Sequence, residues 1–270
     1  MVELNKKYQI SRKKFGFINW IGFKSLWFKE CNRFIAVWQQ TLLSPLVSSL
    51  LFLSVLSLAL GNNRGDVLGY SFMSFLAPGL IAMSILTQSF SHSVSSLMIS
   101  KIQGNIVDML YAPLSALEVS MAIILAALTR SFLIAIISIC VFSLLVEMPI
   151  NNILFIFIFG FLSAFILGSL GFITGLWAEK FDHTATVTNF VITPLSFLSG
   201  VFYSIEKLPP FFQTISHINP FFYMIDGFRY GFLGKSDGSI NVGLIYLIIL
   251  SIAMWYLAFF LYKKGYKIKS

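Results

Sequence analysis

Six long apolar runs dominate the chain, at residues 41–60, 76–96, 119–146, 153–178, 187–203 and 241–262. An α-helix needs about 20 mainly apolar residues to cross the hydrocarbon core of a bilayer, because inside lipid every backbone amide has to be paired within its own segment. The pattern predicts an all-α, polytopic membrane protein with six transmembrane helices. The run at 187–203 is the shortest and stands at the lower limit. The polar stretches between the runs are too short to form a separate soluble domain.

Ahead of the first run the periodicity changes. Trp20, Phe23, Trp27, Cys31, Phe34 and Trp38 recur at three and four residues, which is one stripe of a 3.6-residue helix, and Lys29 and Arg33 point the other way. Tryptophans on the apolar face with cations opposite predict an amphipathic helix lying in the membrane interface. Residues 1–14 are polar and basic and read as a tail. The chain thus divides into a tail with an interfacial helix, 1–40, and a six-helix membrane domain, 41–270. Within the latter, 203–240 is aromatic, and Pro209-Pro210 and Asn219-Pro220 each precede a helix-like turn. Proline suits the first turn of a helix. Two short re-entrant helices over about 205–238, dipping back into the outer leaflet before the last span, are expected.

Charge adds an orientation. The chain is 57% hydrophobic and 11% charged, against about 25% charged in ordinary soluble domains. A net charge of +8 would point a soluble protein towards nucleic acid, but here the cations sort by side. Six crossings put both ends together, and fourteen of the 19 Lys and Arg fall on that side, including Lys101 and Lys180. Arg64, Lys207, Arg229 and Lys235 fall on the other. The positive-inside rule makes both termini cytoplasmic. No cleavable leader is expected, since the first apolar run begins too late. Cys31 and Cys140 suggest neither a disulfide nor a metal cage. A G-x-x-x-x-G-K-[ST] phosphate loop, a nucleophile elbow and a paired His/Glu motif are all missing. The chain is therefore expected not to be an enzyme and to bind no nucleotide cofactor itself.

Polar residues inside the apolar runs are the candidates for function. Ser84, Gln88, Ser91, His92 and Ser95 form a stripe at threes and fours in the second run. Two readings stay open: hydroxyl side chains that glue helices together, or a path faced by Gln88 and His92. Arg130 lies deep in the third run, where a guanidinium costs about 2.5–3.5 kcal/mol and so faces protein or a hydrated cavity. No acidic residue of the sequence lies at its depth. In the fourth run, Gly160, Ala164, Gly168, Gly171 and Gly175 would let another helix approach closely. In the loop after the second run, Ile102, Ile106, Met109 and Leu110 share a helical face, leaving Lys101, Gln103, Asn105 and Asp108 to solvent or a partner. Pro113 ends that helix. Asp226 and Arg229 are spaced to pair across one helical turn.

Three segments carry a family resemblance: FLAPGLIAMSI at 75–85, KIQGNIVDMLYAPL at 101–114, and TPLSFLSGVFYSIEKLPPFFQTISHINPFFYMIDGFRYGFLG at 193–234. With them the chain resembles the permease subunits of type-2 ATP-binding-cassette exporters, in particular small bacterial inner-membrane permeases. The resemblance implies a path formed by two copies, driven by two separate ATPase subunits that bind ATP and magnesium. It also implies that the loop after the second span is a coupling helix, here at about 100–112, with Lys101, Ile102, Gln103, Ile106, Asp108, Met109 and Leu110 receiving the ATPase stroke. Gln88, His92 and Arg130 would then line the translocation path, and Asp226 and Arg229 would stand at an outer gate. Polysaccharides, lipid-linked glycans and drug-like molecules all remain open as substrates. A channel or scaffold working without an ATPase is the alternative from a different class.

Overall fold

The computed structural model describes residues 18–60 and 65–268. The basic tail expected over 1–14 and Arg64 lie outside the described residues. Among the described residues the structure is helical, and five helices are long and apolar enough to cross a membrane: Gln39–Ala59, Phe72–Ile102, Ala116–Phe142, Ile153–Trp177 and Ile240–Lys263.

The chain enters through α1 (Trp20–Ala36), capped by the Asn19 side chain, which accepts from the Gly22 amide. A π turn, Gln39–Leu43, leads into α2 (Ser44–Leu60). The Thr41 hydroxyl spans that junction, donating to the Phe34 carbonyl at 2.7 Å and so satisfying an end of α1. Next come α3 (Phe72–Ile102), the short α4 (Ile106–Tyr111), α5 (Ala116–Phe142) and α6 (Ile153–Trp177). A helical run over 181–198 is made of α7 (Phe181–Val187), a π turn (Thr188–Ile192) and α8 (Thr193–Leu198). Two proline-started helices, α9 (Pro210–Ile218) and α10 (Pro220–Leu233), precede α11 (Ile240–Lys263).

The core is a layered contact of α3 with α5 and α6; α10 packs on both α6 and α3, and α11 on α6 and α10. Small residues make the α3–α6 contact possible. A methyl group added at Gly171 would stand 2.5 Å from the Phe90 carbonyl oxygen, and one at Gly175 would stand 2.9 Å from Leu97 Cβ. Lipid offers no hydrophobic drive for helix association, so this close van der Waals fit, with the Ser89 hydroxyl donating to the Ala164 carbonyl, supplies the cohesion. By contrast α2 is nearly bare: of its described side chains only Leu53 is buried.

Two expectations change. The middle of the apolar stripe of α1 faces protein: Cys31 and Phe34 are buried with Ala126 of α5, and Trp27 Nε1 donates to the Thr129 hydroxyl at 3.3 Å, whereas Trp20 and Trp38 at its ends are exposed. A second apolar line, Ile21, Phe28 and Ile35, spaced by sevens and flanked by exposed Lys24 and Lys29, is exposed along its whole length. Periodicity alone selects a face without saying what covers it. The fifth apolar run also starts and stops elsewhere than at 187–203. Its helix begins at Phe181 and ends at Leu198. Its first half carries Asp182, His183 and Asn189, so it is not among the five helices that satisfy length and apolarity together.

The α3–α6 contact makes a direct prediction. Gly171→Val places branched carbons against the Phe90 backbone and should destabilise the chain by about 1–3 kcal/mol. Gly160→Ala, where the nearest atom would lie at 3.4 Å, should be nearly neutral. Thermal unfolding of the two variants in detergent distinguishes them, and equal midpoints would show that the close approach is unimportant.

Candidate functional site

The polar stripe of α3 lines a cavity of about 800 Å³. Its walls come from α1, the π turn, α2, α3 and α5, and the end of α8 with the turn after it closes one end through Phe197 and Phe202. All five stripe residues, Ser84, Gln88, Ser91, His92 and Ser95, reach the lining. Ser84 also bonds the Ser49 hydroxyl of α2 at 3.1 Å, so a helix-gluing contact and a cavity wall coexist on one stripe. Ser44 and Ser48 face the cavity from α2. A helix bare on its outer side is thus hydroxylated on its inner one.

Charge collects at the end of the cavity nearer α4. Arg33 of α1 donates through Nε to Glu30 Oε2 at 3.0 Å, and reaches the Ser95 hydroxyl at 3.4 Å and the His92 carbonyl at 3.3 Å. Glu30 is 1% exposed. His92 is fully buried, its Nε2 3.7 Å from Glu30 Oε2, with its ring edge-on to Phe34. Arg130 of α5 donates through Nη2 to Gln88 Oε1 and forms no ion pair among the described residues. Its Nε is buried with no hydrogen-bond partner. Gln88, His92 and Arg130 therefore come together at one cavity. Arg33 and Glu30 are the members that the sequence reading missed. Arg33 pointed away from the apolar stripe and read as solvent-facing; the signal available was the spacing of three between Arg33 and Glu30, the one acidic residue of the helix.

The loop after α3 is not one continuous helix. Gly104 takes a left-handed conformation (φ +77°) and separates the end of α3 from α4. Lys101 does not point to solvent: its Nζ donates to the carbonyls of Gly175, Leu176 and Ala178, which closes the C-terminal end of α6. Ile106 and Met109 are buried, whereas Ile102, Gln103, Val107, Asp108, Leu110 and Tyr111 are exposed. The expected common face of Ile102, Ile106, Met109 and Leu110 is therefore split. Two of its members fasten α4 to the body, and the outward apolar surface is Val107, Leu110 and Tyr111. The next loop is tied to α1. Glu118, in a capping box with Ser115, accepts from the Asn19 amide, and Asn19 Nδ2 donates to the Pro113 carbonyl at 3.0 Å.

At the opposite end of α3, Asp226 and Arg229 are both buried on α10 but form no ion pair with each other among the described residues. Asp226 accepts from the amides of Asp237 and Gly238, each at 3.0 Å, and fixes the turn before α11. Arg229 donates to the carbonyls of Gly200 (2.8 Å) and Val201 (3.3 Å) and stacks 3.8 Å over Phe75. The turn after α8 is thereby pinned to α3 and α10.

Five membrane-length helices, three of which wall a hydroxyl- and arginine-lined cavity, with a short helix at one end, fit a helical membrane transporter subunit. The chain belongs to the ABC-2 type transporter family, which matches residues 22–233, and it is a permease of that family. It is 34% identical over 251 residues to the inner membrane transport permease YadH of Escherichia coli (strain K12), covering 93% of this chain and 98% of that protein. It is also 26% identical over 238 residues to nodulation protein J of Neorhizobium galegae, covering 87% and 90% respectively. Nodulation protein J of Rhizobium leguminosarum bv. trifolii is 28% identical over 249 residues, with the same coverage.

The buried charges predict an order of stabilities. Glu30→Ala leaves two arginines near the cavity without a carboxylate and should destabilise the chain. The loss should fall short of the roughly 3–5 kcal/mol of a fully buried pair, because 27% of the Arg33 side chain is exposed. Glu30→Gln combined with Arg33→Gln removes both charges and should recover part of the loss. Thermal melts that rank the double variant below Glu30→Ala would contradict this order.

Proposed function

We propose that this chain is the membrane-spanning half of an exporter in the bacterial inner membrane, driven by a separate ATP-binding-cassette ATPase. The observation that carries the proposal is the cavity: a polar, arginine-bearing space beside a helix, α2, whose outer flank nothing among the described residues covers. Two copies meeting along α2 would turn two such cavities into one path. In this reading the ATPase subunits bind ATP and magnesium, and the chain itself binds neither. The run at 181–198 acts as the sixth crossing, α9 and α10 dip into the outer leaflet, and both termini are cytoplasmic, in keeping with the fourteen-to-four asymmetry of basic residues. The name of the Escherichia coli relative supports the inner membrane and transport.

The geometry offers a route for force. An ATPase pressing on Val107, Leu110 and Tyr111 moves α4, which Ile106 and Met109 fix to the body. Residues 113–118 follow, and Asn19 transmits their shift to α1 through Pro113 and Glu118. α1 carries Arg33 and α5 carries Arg130, so the stroke arrives at both cationic walls of the cavity. ATP acts by binding the closed ATPase pair more tightly than the open one, and only that difference in affinity shifts the permease between states. Arg229 and Phe75, which hold the turn over the far end of the cavity, would form the outer seal that has to yield.

Partner capture tests the proposal. Affinity purification of the full chain in mild detergent should bring down an ATPase with a phosphate loop, identified by mass spectrometry. Val107→Asp with Tyr111→Asp puts charges into an apolar contact that does not tolerate them, and should reduce recovery at least tenfold at unchanged membrane abundance. Both side chains are exposed, so the fold should survive, whereas Ile106 is an unsuitable probe because it is buried. Undiminished recovery with the double variant, or no ATPase with the wild type, would contradict the reading.

A further inference from the structure

We infer that the cavity takes an amphipathic anion, with its phosphate, sulfate or carboxylate group at Arg33 and Arg130 and its apolar part against Phe52, Phe197 and Phe202. This deepens the exporter reading and rests on it. Three features of the cavity carry the inference.

The first is charge. The lining contains two arginines and no carboxylate among the described residues. Arg33 has Glu30 behind it. Arg130 has only the neutral Gln88, and its Nε is buried without a partner. A guanidinium at that depth costs free energy unless it is paired, and an anion of the ligand supplies the missing partner through charge-assisted hydrogen bonds, the fork of Arg matching two oxygens of a phosphate or carboxylate. A cationic ligand would be repelled, and a neutral one would leave the site as it is.

The second feature is polarity along the axis. From Gln88, level with Arg130, the helix rise of about 1.5 Å per residue puts Ser95 about 10 Å towards α4 and Leu80 about 12 Å the other way. Arg33, His92 and Ser95 occupy the α4 end, while Leu80, Phe52 and Phe202 occupy the opposite one. With α4 at the cytoplasmic side, a bound molecule would hold its charged head between that surface and mid-helix, and its apolar part in the half of the cavity beyond. That is the orientation of an amphiphile of the cytoplasmic leaflet.

Size and access are the third. About 800 Å³ lies in the upper part of the range that encloses a drug-sized molecule. Ser44, Ser48 and Ser91 add hydroxyl donors next to the charges. α2 contributes a single buried side chain, Leu53, to the chain's interior, so one helix alone separates the cavity from the flank where a second copy would meet it, and access on that side would run between the two copies.

The test uses the purified full chain in phosphatidylcholine nanodiscs, with empty nanodiscs as background, and radiolabelled n-hexadecyl phosphate as the probe. Hexadecyl phosphate should bind saturably and at least tenfold more tightly than n-hexadecyltrimethylammonium. Inorganic phosphate at the same concentration should not displace it. Arg130→Gln should weaken binding at least tenfold, and Arg130→Lys should retain most of it. Ser91→Asp adds a carboxylate at an exposed position of the lining and should abolish anion binding where Ser91→Asn does not, so the inference remains testable if Arg130→Gln fails to fold. Equal binding of the two amphiphiles, unchanged affinity in a folded Arg130→Gln or in Ser91→Asp, or displacement by inorganic phosphate would overturn it. No ATPase is present in this assay, so its outcome is separate from that of partner capture.

Discussion

A guanidinium at the middle of a membrane helix has to find polar company, and the rest of this structure is arranged around that requirement. Arg130 lacks a carboxylate within reach on its own helix, so α3 answers with Gln88, and the stripe continuing from Gln88 makes one side of α3 too polar for lipid. α3 is consequently buried: α5 and α6 cover it on one side and a cavity remains on the other. The glycines of α6 let the covering helix approach to backbone contact, which holds α3 in place without filling the cavity. Packing and cavity are therefore two faces of one helix.

The two ends of α3 are treated differently. At the α10 end, buried main-chain bonds from Asp226 and Arg229 fix turns, which suits a seal. At the α4 end, Lys101 ties α3 to the last carbonyls of α6, and Gly104 then breaks the helix so that α4 can project. Rigid attachment next to a flexible glycine suits an element that is pushed from outside and has to carry the push inward. The Asn19 bonds would give such a push a second route, into α1, which sequence alone gives no reason to connect to the loop.

Much of the fold was legible because it rests on long apolar runs. Five of them meet both length and apolarity, and the glycine spacing of α6 found its partner in α3. What failed to read through was direction and cover. The stripe of α1 has the signature of a helix on lipid, yet Cys31 and Phe34 are covered by α5; periodicity reports that a face is buried, and tertiary structure decides by what. Likewise Ile102 and Leu110 share a periodic face with Ile106 and Met109, but the break at Gly104 detaches Ile102 from α4, and within α4 only Ile106 and Met109 are covered while Leu110 stays exposed. Arg130, Gln88 and His92 stood out as polar residues inside apolar runs, which is a local signal. Glu30 and Arg33 did not, because they join the site only through the packing of α1 against α3 and α5. Asp226 and Arg229 were visible as charges, whereas their separate main-chain partners belong to turns that no spacing rule foretells.

The central claim is that this cavity is the transport path and that the ATPase stroke alters it. A single cysteine at Ser91, in a chain with Cys31→Ala and Cys140→Ser, reports on it directly through labelling by a membrane-impermeant maleimide in proteoliposomes with the partner ATPase. The account predicts labelling in the nucleotide-free state and protection, at least several-fold, when ATP and vanadate trap the closed state. Labelling that is the same in both states would contradict it.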